Sequence, residues 1–225
     1  MEYKLTRMNR KTIGIYIQKD ASVEVRCPPS MSKGAIDEFV ASRQKWIEEE
    51  TAAVKLRNEK RQTFKVEIGC CLRLMGKTYP LVEVQGSSIG FDGERFYAPP
   101  GLPAQKIKEG IIALYKKQAK NCIEFKVKRF AKLMGVEPQG VKINSASTRW
   151  GSCSGKNSLN FSWMLIMAHE KCIDYVVVHE LAHTLRHNHG KEFWSIVEGI
   201  IPDRKKQEKM LRELHRELVN EDWTC

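Results

Sequence analysis

The feature that most constrains this chain is a glutamate between two histidines inside an apolar segment. The segment CIDYVVVHELAHTL, residues 172–185, is hydrophobic on nearly every side, which is typical of a helix buried within a domain. Buried histidine and glutamate side chains need partners, because an unpaired buried polar group costs free energy. The segment therefore predicts a buried helix that carries a polar site.

His179 and His183 have the spacing of metal ligands. Residues four apart lie on one helical face, about 5–6 Å from each other, so both rings can direct a nitrogen to one ion. Zn²⁺ accepts imidazole nitrogens at about 2.0–2.1 Å. Glu180 lies beside that face, where a carboxylate can take a proton from a water molecule at the metal. This HExxH pattern predicts a zinc site with Glu180 as the catalytic base.

Two downstream histidines compete for a third ligand position. In a continuous helix, His187 lies about 12 Å along the axis from His179, at about 1.5 Å per residue, which is too far for convergence. His189 reaches the site if the helix ends a few residues before it and the chain turns back, and Asn188 and Gly190 tolerate the left-handed backbone of such a turn. Because a catalytic zinc usually has three protein ligands, we expect His189 as the third and one zinc ion per chain.

The spacing of His179, His183 and His189 is also that of the metzincin motif HExxHxxGxxH. In this chain Arg186 occupies the glycine position of that motif, and no Met-turn is evident nearby. The histidine spacing alone therefore does not identify a metzincin.

The organisation of the chain predicts two regions. The segment PPGLPAQ, residues 99–105, is the clearest break, and it separates an N-terminal β-rich accessory region (1–100) from a catalytic domain (101–225). The first region contains one long helical pattern, over residues 35–61, between strand-like alternations.

The residue pattern of the second region predicts a long helix that ends near Gly135, then a hairpin-like pair of strands, and then the apolar helix from about Glu170. The expected fold class is α+β, with the HExxH helix beside a small antiparallel sheet.

Composition narrows the class of protein. The net charge is +11, and its densest basic run, between Lys116 and Lys132, is typical of a solvated helix face but also fits weak nucleic-acid association.

No segment approaches the roughly 20 apolar residues of a membrane-spanning helix, and no signal peptide is evident, so we expect a cytoplasmic protein with no membrane partner. The seven cysteines include no CxxC pair, which indicates reduced thiols.

The stretch from Arg149 to Trp194 resembles the signature region of the SprT-related, YgjP-like (WLM) family of zincin-like zinc metallopeptidases. It combines RWGSC, an LNF strand, IDYVVVHELAH and a final NHGKEFW. The resemblance implies a zincin-like domain that hydrolyses peptide bonds of a polypeptide substrate. It also implies that Glu180 is the catalytic base and that the zinc ligands are His179, His183 and His189.

The same stretch offers further contacts to a substrate. In zincin-like enzymes an extended segment runs beside the metal helix, and its edge can pair with a substrate backbone; RWGSCSGKNSLNF, residues 149–161, could provide this edge. Arg149 is a candidate contact for an anion or an oxyanion. His169 and Glu170 depart from the family, in which prolines often precede the active helix.

Two other functions fit part of the sequence. An activated water can attack phosphorus, and a basic chain attracts polyphosphates, so a metal-dependent nucleoside triphosphate pyrophosphatase acting on a nucleotide is an alternative. However, the sequence has no GxxxxGK[ST] phosphate loop. A nucleic-acid-associated protease or binding module is a further alternative that depends on the basic surface. Zinc metallopeptidase is the first prediction.

Replacing His189 with Ala should remove most of the bound zinc, because the loss of one of three ligands weakens metal binding. Replacing His187 with Ala should leave the zinc content close to that of the parent protein. Metal analysis of the two purified variants tests this difference. Equal zinc content in both would count against His189 as the third ligand.

Overall fold

The computed structural model describes residues 2–224, and the chain is divided into two compact units. The first unit extends to Phe64 and includes Asn220–Asp222, and the second contains Lys65–Val219 together with Trp223 and Thr224. Six α-helices and three small sheets occur within residues 2–224, which confirms the α+β class. In the same range, no helix combines the length and the apolar character needed to cross a membrane.

The first unit contains a three-stranded sheet and two helices. The strands are β1 (Lys4–Arg7), β2 (Gly14–Ile17) and β3 (Val23–Cys27). They lie in the order β1-β3-β2, with β3 parallel to β1 and antiparallel to β2. The helices are α1 (Lys33–Ser42) and α2 (Gln44–Thr63).

The helical pattern predicted over residues 35–61 is interrupted at Arg43, whose φ of −113° and ψ of 11° are not helical, so the chain forms two helices there. Alternate residues of β3 point to one face, as expected for a strand with one buried side. The core of this unit combines them with apolar residues of the helices: Val23, Val25, Cys27, Ile36, Val40 and Ile47.

The second unit begins with a four-stranded sheet. Its strands are β4 (Cys71–Leu74), β5 (Lys77–Glu83), β6 (Gly90–Phe91) and β7 (Phe96–Ala98), in the order β4-β5-β7-β6. This sheet shares a compact unit with the HExxH segment, whereas the sequence placed it in the N-terminal region that ends at residue 100.

Non-local hydrogen bonds account for this difference from the predicted boundary. The backbone N–H groups of Met75 and Gly76 donate to the carbonyls of Ile166 and Met167, at 2.8 and 3.2 Å. These residues are about ninety positions apart in the chain, so no local sequence pattern indicates that they meet.

Helix α3 (Ala104–Met134) is the predicted long helix, and Gly135 ends it in the left-handed conformation with φ of 64°. Lys126 is buried on its inner face, with a side chain that is 4% exposed. The Nζ atom of Lys126 donates to Asp174 Oδ1 at 2.6 Å and to Glu170 Oε1 at 3.0 Å. Because a buried ammonium needs partners, these contacts fix α3 to the helix that carries HExxH.

The sheet beside the HExxH helix contains β8 (Gly140–Asn144), β9 (Gly151–Cys153) and β10 (Ser158–Ser162), in the order β8-β10-β9. Strands β9 and β10 form an antiparallel hairpin, but β8 is parallel to β10. The sheet is therefore mixed and not purely antiparallel as expected. The reason is that the chain after β8 crosses to the other side of β10 before it forms β9.

The remaining elements are a 3₁₀ helix (Trp163–Met167), α4 (Glu170–Ala182), α5 (Lys191–Ile200) and α6 (Arg204–Leu218). Helix α4 carries HExxH and packs against α3, α5, α6 and β9. His169 caps α4 because its Nδ1 accepts a hydrogen bond from the backbone N–H of Lys171 at 3.2 Å. Because α4 is in contact with other elements on all sides, the segment that forms it is apolar on nearly every face.

Candidate metal centre

Three histidines converge at the C-terminal end of α4. His179 lies in its last turn, His183 directly follows the helix, and His189 lies in the loop before α5. One potential ligand atom of each lies within 4.8 Å of the others, and the Nε2 atoms of His179 and His189 are 3.1 Å apart. His187, which the structure also describes, is exposed and does not belong to this cluster.

The donor atoms of the cluster fit a zinc ion. Two nitrogens at about 2.0–2.1 Å from a tetrahedral zinc are about 3.3–3.4 Å apart. The 3.1 Å between the Nε2 atoms of His179 and His189 is close to that separation. Three imidazoles are also a donor set that catalytic zinc sites use, with the fourth position left open. The three histidines can therefore hold one zinc ion.

Burial favours the neutral form of His179 and His183. Desolvation, together with the charges of His183 and His189, lowers the pKa of His179 to about 3. The pKa of His183 is also lowered, mainly by desolvation. Because a neutral imidazole keeps a lone pair free for a cation, His179 is able to bind metal throughout the neutral pH range.

Aromatic side chains of α5 support the three rings. Phe193 is fully buried, and its ring centroid lies 4.9, 4.6 and 4.7 Å from the centroids of His179, His183 and His189. Trp194 stacks on His189 with centroids 5.4 Å apart and an interplanar angle of 30°. These contacts restrict rotation of the imidazoles, since close-packed side chains have few alternative positions.

The turn between α4 and α5 differs from the prediction. Asn188 does not have a positive φ, and Gly190 has an extended backbone with φ of −78° as it begins α5. The expectation of a left-handed residue at either position is wrong. The chain reverses instead through short-range hydrogen bonds, including that from the Arg186 N–H to the Ala182 carbonyl at 2.9 Å. His189 still reaches the other two histidines.

Glu180 lies directly against β9. Its side chain is buried, with 6% exposure. A Cβ atom at Gly151 would lie 2.7 Å from both the Cγ and Oε1 atoms of Glu180, which is too close for any L-residue without movement. The glycine of the RWGSC segment therefore makes room for the carboxylate, a steric role that the sequence does not reveal.

The environment of Glu180 alters its acidity. Desolvation raises the pKa of Glu180 to about 7, and the positive charge of Arg149 opposes this rise. Arg149 is exposed in the loop before β9, and its positive charge acts on the Glu180 carboxylate. A carboxylate whose pKa is near neutral pH is suited to accept and return a proton.

Strand β9 lies at the edge of its sheet, with β10 on one side only. The backbone N–H of Ser154 donates to the Ser158 carbonyl at 2.9 Å, which makes this a hydrogen-bonded pair. Because such pairs alternate in an antiparallel ladder, the N–H and C=O groups of Gly151 and Cys153 point toward the free edge. The strand therefore presents main-chain groups beside Glu180.

The sequence analysis missed Tyr175, which contacts His179, and it also missed Glu208 and Arg204, which are linked to Tyr175 by hydrogen bonds. The Oη atom of Tyr175 is 3.4 Å from His179 Nδ1 and donates to Glu208 Oε1 at 3.0 Å. Burial, and then the Glu208 carboxylate, raise the pKa of the Tyr175 phenol, so it keeps its proton. Tyr175 is four residues before His179 on the same helical face, so its spacing could have indicated this contact. No local sequence pattern links the residues of α6 to the site.

Converging imidazoles and a buried glutamate are typical of metal-dependent hydrolases. The model of the YgjP-like metallopeptidase domain matches residues 11–214. The chain belongs to this family, which confirms the resemblance seen in the sequence and identifies the protein as a metallopeptidase-type hydrolase.

Two solved structures are similar to part of the chain. One is the metallopeptidase zymogen abylysin of Pyrococcus abyssi, with 19% identity and a TM-score of 0.38 over 44% of this chain and 97% of that chain. The other is the metallopeptidase zymogen jannalysin of Methanocaldococcus jannaschii, with 20% identity and a TM-score of 0.37 over 41% of this chain and 96% of that chain. No curated protein matches the chain in sequence.

Replacing Gly151 with Ala should displace the Glu180 carboxylate, because the new Cβ would lie 2.7 Å from its Cγ and Oε1 atoms. We expect hydrolytic activity to fall by about 10²-fold, a typical cost of moving a reacting group by about 1 Å, while zinc content is kept. Gly140→Ala in β8 is the matched control, since its Cβ would meet nothing within 4 Å. Equal activity of the two variants would contradict the steric role of Gly151.

Replacing Glu180 with Gln should stabilise the metal-free protein at alkaline pH. Because burial raises the pKa of Glu180 from 4.5 to about 7, ionisation of this group destabilises the folded state as the pH rises through that interval. At pH 8 we expect the free energy of unfolding of the variant to be higher by roughly 3 kcal/mol, and near pH 4 the difference should be small. Urea unfolding of both proteins with a chelator measures this difference, and a pH-independent difference would contradict the burial effect.

Proposed function

We propose that this protein is a zinc-dependent peptidase that uses water to hydrolyse peptide bonds of polypeptide substrates. His179, His183 and His189 would hold one zinc ion, and Glu180 would be the catalytic base. The observation that carries the proposal is the convergence of the three imidazoles next to a buried carboxylate and a free strand edge. Membership of a metallopeptidase family supports the same chemistry.

Each group has a defined task in this reaction. A zinc ion, when bound, supplies Lewis-acid activation of the water and of the peptide carbonyl. Glu180 accepts the proton of the attacking water and returns it to the amine that leaves, a cycle that suits its pKa of about 7. Arg149 would stabilise the negative charge that develops on the attacked oxygen, since its positive charge already acts at this site.

Strand β9 would orient the substrate. The main-chain groups of Gly151 and Cys153 point to the free edge, where an extended peptide can add as a further strand. Such pairing uses backbone atoms that every peptide has, so it fixes the direction of the substrate without selecting its side chains. Because Gly151 also touches Glu180, a peptide on this edge would lie beside the base.

The two other functions considered from the sequence have less support. The family match supports neither the pyrophosphatase nor the nucleic-acid-associated alternative. We further propose, as the sequence predicts, that the N-terminal region is accessory to catalysis. Strands β4–β7 belong to the same compact unit as the site. The N-terminal elements β1–β3, α1 and α2 would then be the accessory part.

The Glu180→Gln variant tests the assignment of the base. It should keep zinc but hydrolyse an unfolded protein substrate about 10²–10⁴-fold more slowly, the usual contribution of a general base. Glu124→Gln, at an exposed position of α3, is the control and should retain parental activity. A parental rate in Glu180→Gln would refute the assignment, and zinc-dependent release of pyrophosphate from nucleoside triphosphates in place of proteolysis would favour the pyrophosphatase alternative.

A further inference from the structure

A chain of polar contacts connects His179 to α6. Tyr175 is 6% exposed and lies one helical turn before His179. Its Oη atom is 3.4 Å from His179 Nδ1, and it donates a hydrogen bond to Glu208 Oε1 at 3.0 Å. The Nη1 atom of Arg204 donates to the same Glu208 oxygen at 2.7 Å. A half-buried carboxylate of α6 is thus linked through one phenol to a candidate metal ligand.

In the series of contacts from His179 through Tyr175 to Glu208, the groups at the two ends determine which atom donates each hydrogen bond. The Nε2 atom of His179 faces His189 Nε2 at 3.1 Å, so Nε2 is the atom placed to bind a metal. With a metal at Nε2, the proton of the neutral ring would lie on Nδ1. The phenol of Tyr175 has one proton, which it donates to the Glu208 carboxylate, because a carboxylate is acceptor-only. Its oxygen lone pairs are then free to accept the Nδ1–H of His179.

Arg204 connects this chain to a second ligand. Its guanidinium lies over the ring of Trp194, with Cζ 3.9 Å from the centroid, and Trp194 stacks on His189. The Nε atom of Arg204 also donates to Glu198 Oε1 at 2.8 Å. Two carboxylates and one aromatic face therefore hold this guanidinium, whose side chain is 13% exposed.

His183 is supported in a different way. Its Nδ1 atom is 3.3 Å from the main-chain carbonyl of Arg186, in the turn that follows α4. This acceptor is local and belongs to the backbone, so it does not depend on side chains elsewhere in the unit. The contacts from α6 therefore act on His179 and His189, whereas His183 is oriented by its own turn.

We propose that Tyr175, held by Glu208 and Arg204, is a positioning residue that fixes the Nδ1-protonated form of His179 and directs Nε2 to the zinc position. The inference rests on the proposed zinc site and deepens it, because it assigns the control of ligand orientation to α6. Hydrogen bonds to the second nitrogen of a ligating histidine fix its tautomer and raise its basicity, and their loss typically weakens metal binding by about 10–100-fold.

Contacts other than those of Tyr175 also hold α6 against α4. Gln207 is 1% exposed, and its Oε1 atom accepts a contact from Cys172 Sγ at 3.4 Å in the helix interface. Leu211 is also buried. Removal of the Tyr175 hydroxyl should therefore leave the helices packed, so that its effect on zinc can be separated from an effect on folding.

The test compares Tyr175→Phe with Tyr115→Phe. The Tyr115 hydroxyl also makes a buried hydrogen bond, donating to the Arg73 carbonyl at 2.7 Å, but it is not part of the chain to His179. Zinc affinity is measured by competition with a chelator, and the stability of each metal-free protein by urea unfolding. We expect zinc binding to be weaker by about 10–100-fold in Tyr175→Phe and unchanged in Tyr115→Phe.

A second pair of variants tests the α6 end. Glu208→Gln keeps an acceptor oxygen but loses the charge, so it should weaken zinc binding less than Glu208→Ala does. Glu213→Gln, at a half-exposed position of the same helix, should leave the zinc affinity unchanged. In the zinc-loaded parent, the Nδ1 proton of His179 should exchange slowly with solvent in NMR spectra, and it should exchange faster in Tyr175→Phe.

The outcomes separate this inference from the proposed function. If the parent protein binds no zinc, the proposed function fails. If the parent binds one zinc ion and Tyr175→Phe binds it with equal affinity and an equally slow Nδ1 proton, the positioning role alone is refuted. If Tyr175→Phe and Tyr115→Phe lose the same zinc affinity in proportion to lost stability, the phenol is structural and the inference is also overturned.

Discussion

Helix α4 is enclosed by α3, α5, α6 and β9, and this environment of low polarity controls the polar side chains that the helix carries. Loss of hydration disfavours the charged form of each group, so the pKa of His179 falls while that of Glu180 rises. One physical cause thus gives a neutral imidazole that can bind a cation and a carboxylate that can exchange a proton near neutral pH. Lys126 shows the opposite case, since it is buried as a cation only between the carboxylates of Glu170 and Asp174.

The site is built in layers that come from different parts of the second unit. The histidines contact Phe193 of α5, the carboxylate fits under Gly151 of β9, and Tyr175 connects His179 to α6. The first two layers restrict ring tilt and carboxylate position, and the third would fix the tautomer of His179 if the proposed role of Tyr175 holds. The proposed metal ligands would therefore be oriented before an ion binds, which would reduce the entropy lost on binding.

Much of this site could be predicted from local patterns. The four-residue spacing of His179 and His183 in an apolar segment predicts two candidate ligands on one helical face, and the structure places both at the C-terminal end of α4. Elsewhere in the same unit, helix α3 ends at the predicted place near Gly135. Other features could not be predicted, because they depend on contacts between distant segments. The pairing of β8 with β10, the inclusion of β4–β7 in the second unit and the support from α6 are of this kind.

The sequence by itself determined the identity and spacing of the ligand candidates, the α+β class and the family, because helical periodicity and motif spacing are local properties of the chain. Only the tertiary structure decided that His189 reaches the cluster through a turn without a left-handed residue, and that Gly151 leaves space for Glu180. It also decided that Tyr175 reaches α6. The physical reason is that these are contacts through space, whose geometry depends on how whole elements pack and not on the residues adjacent in sequence.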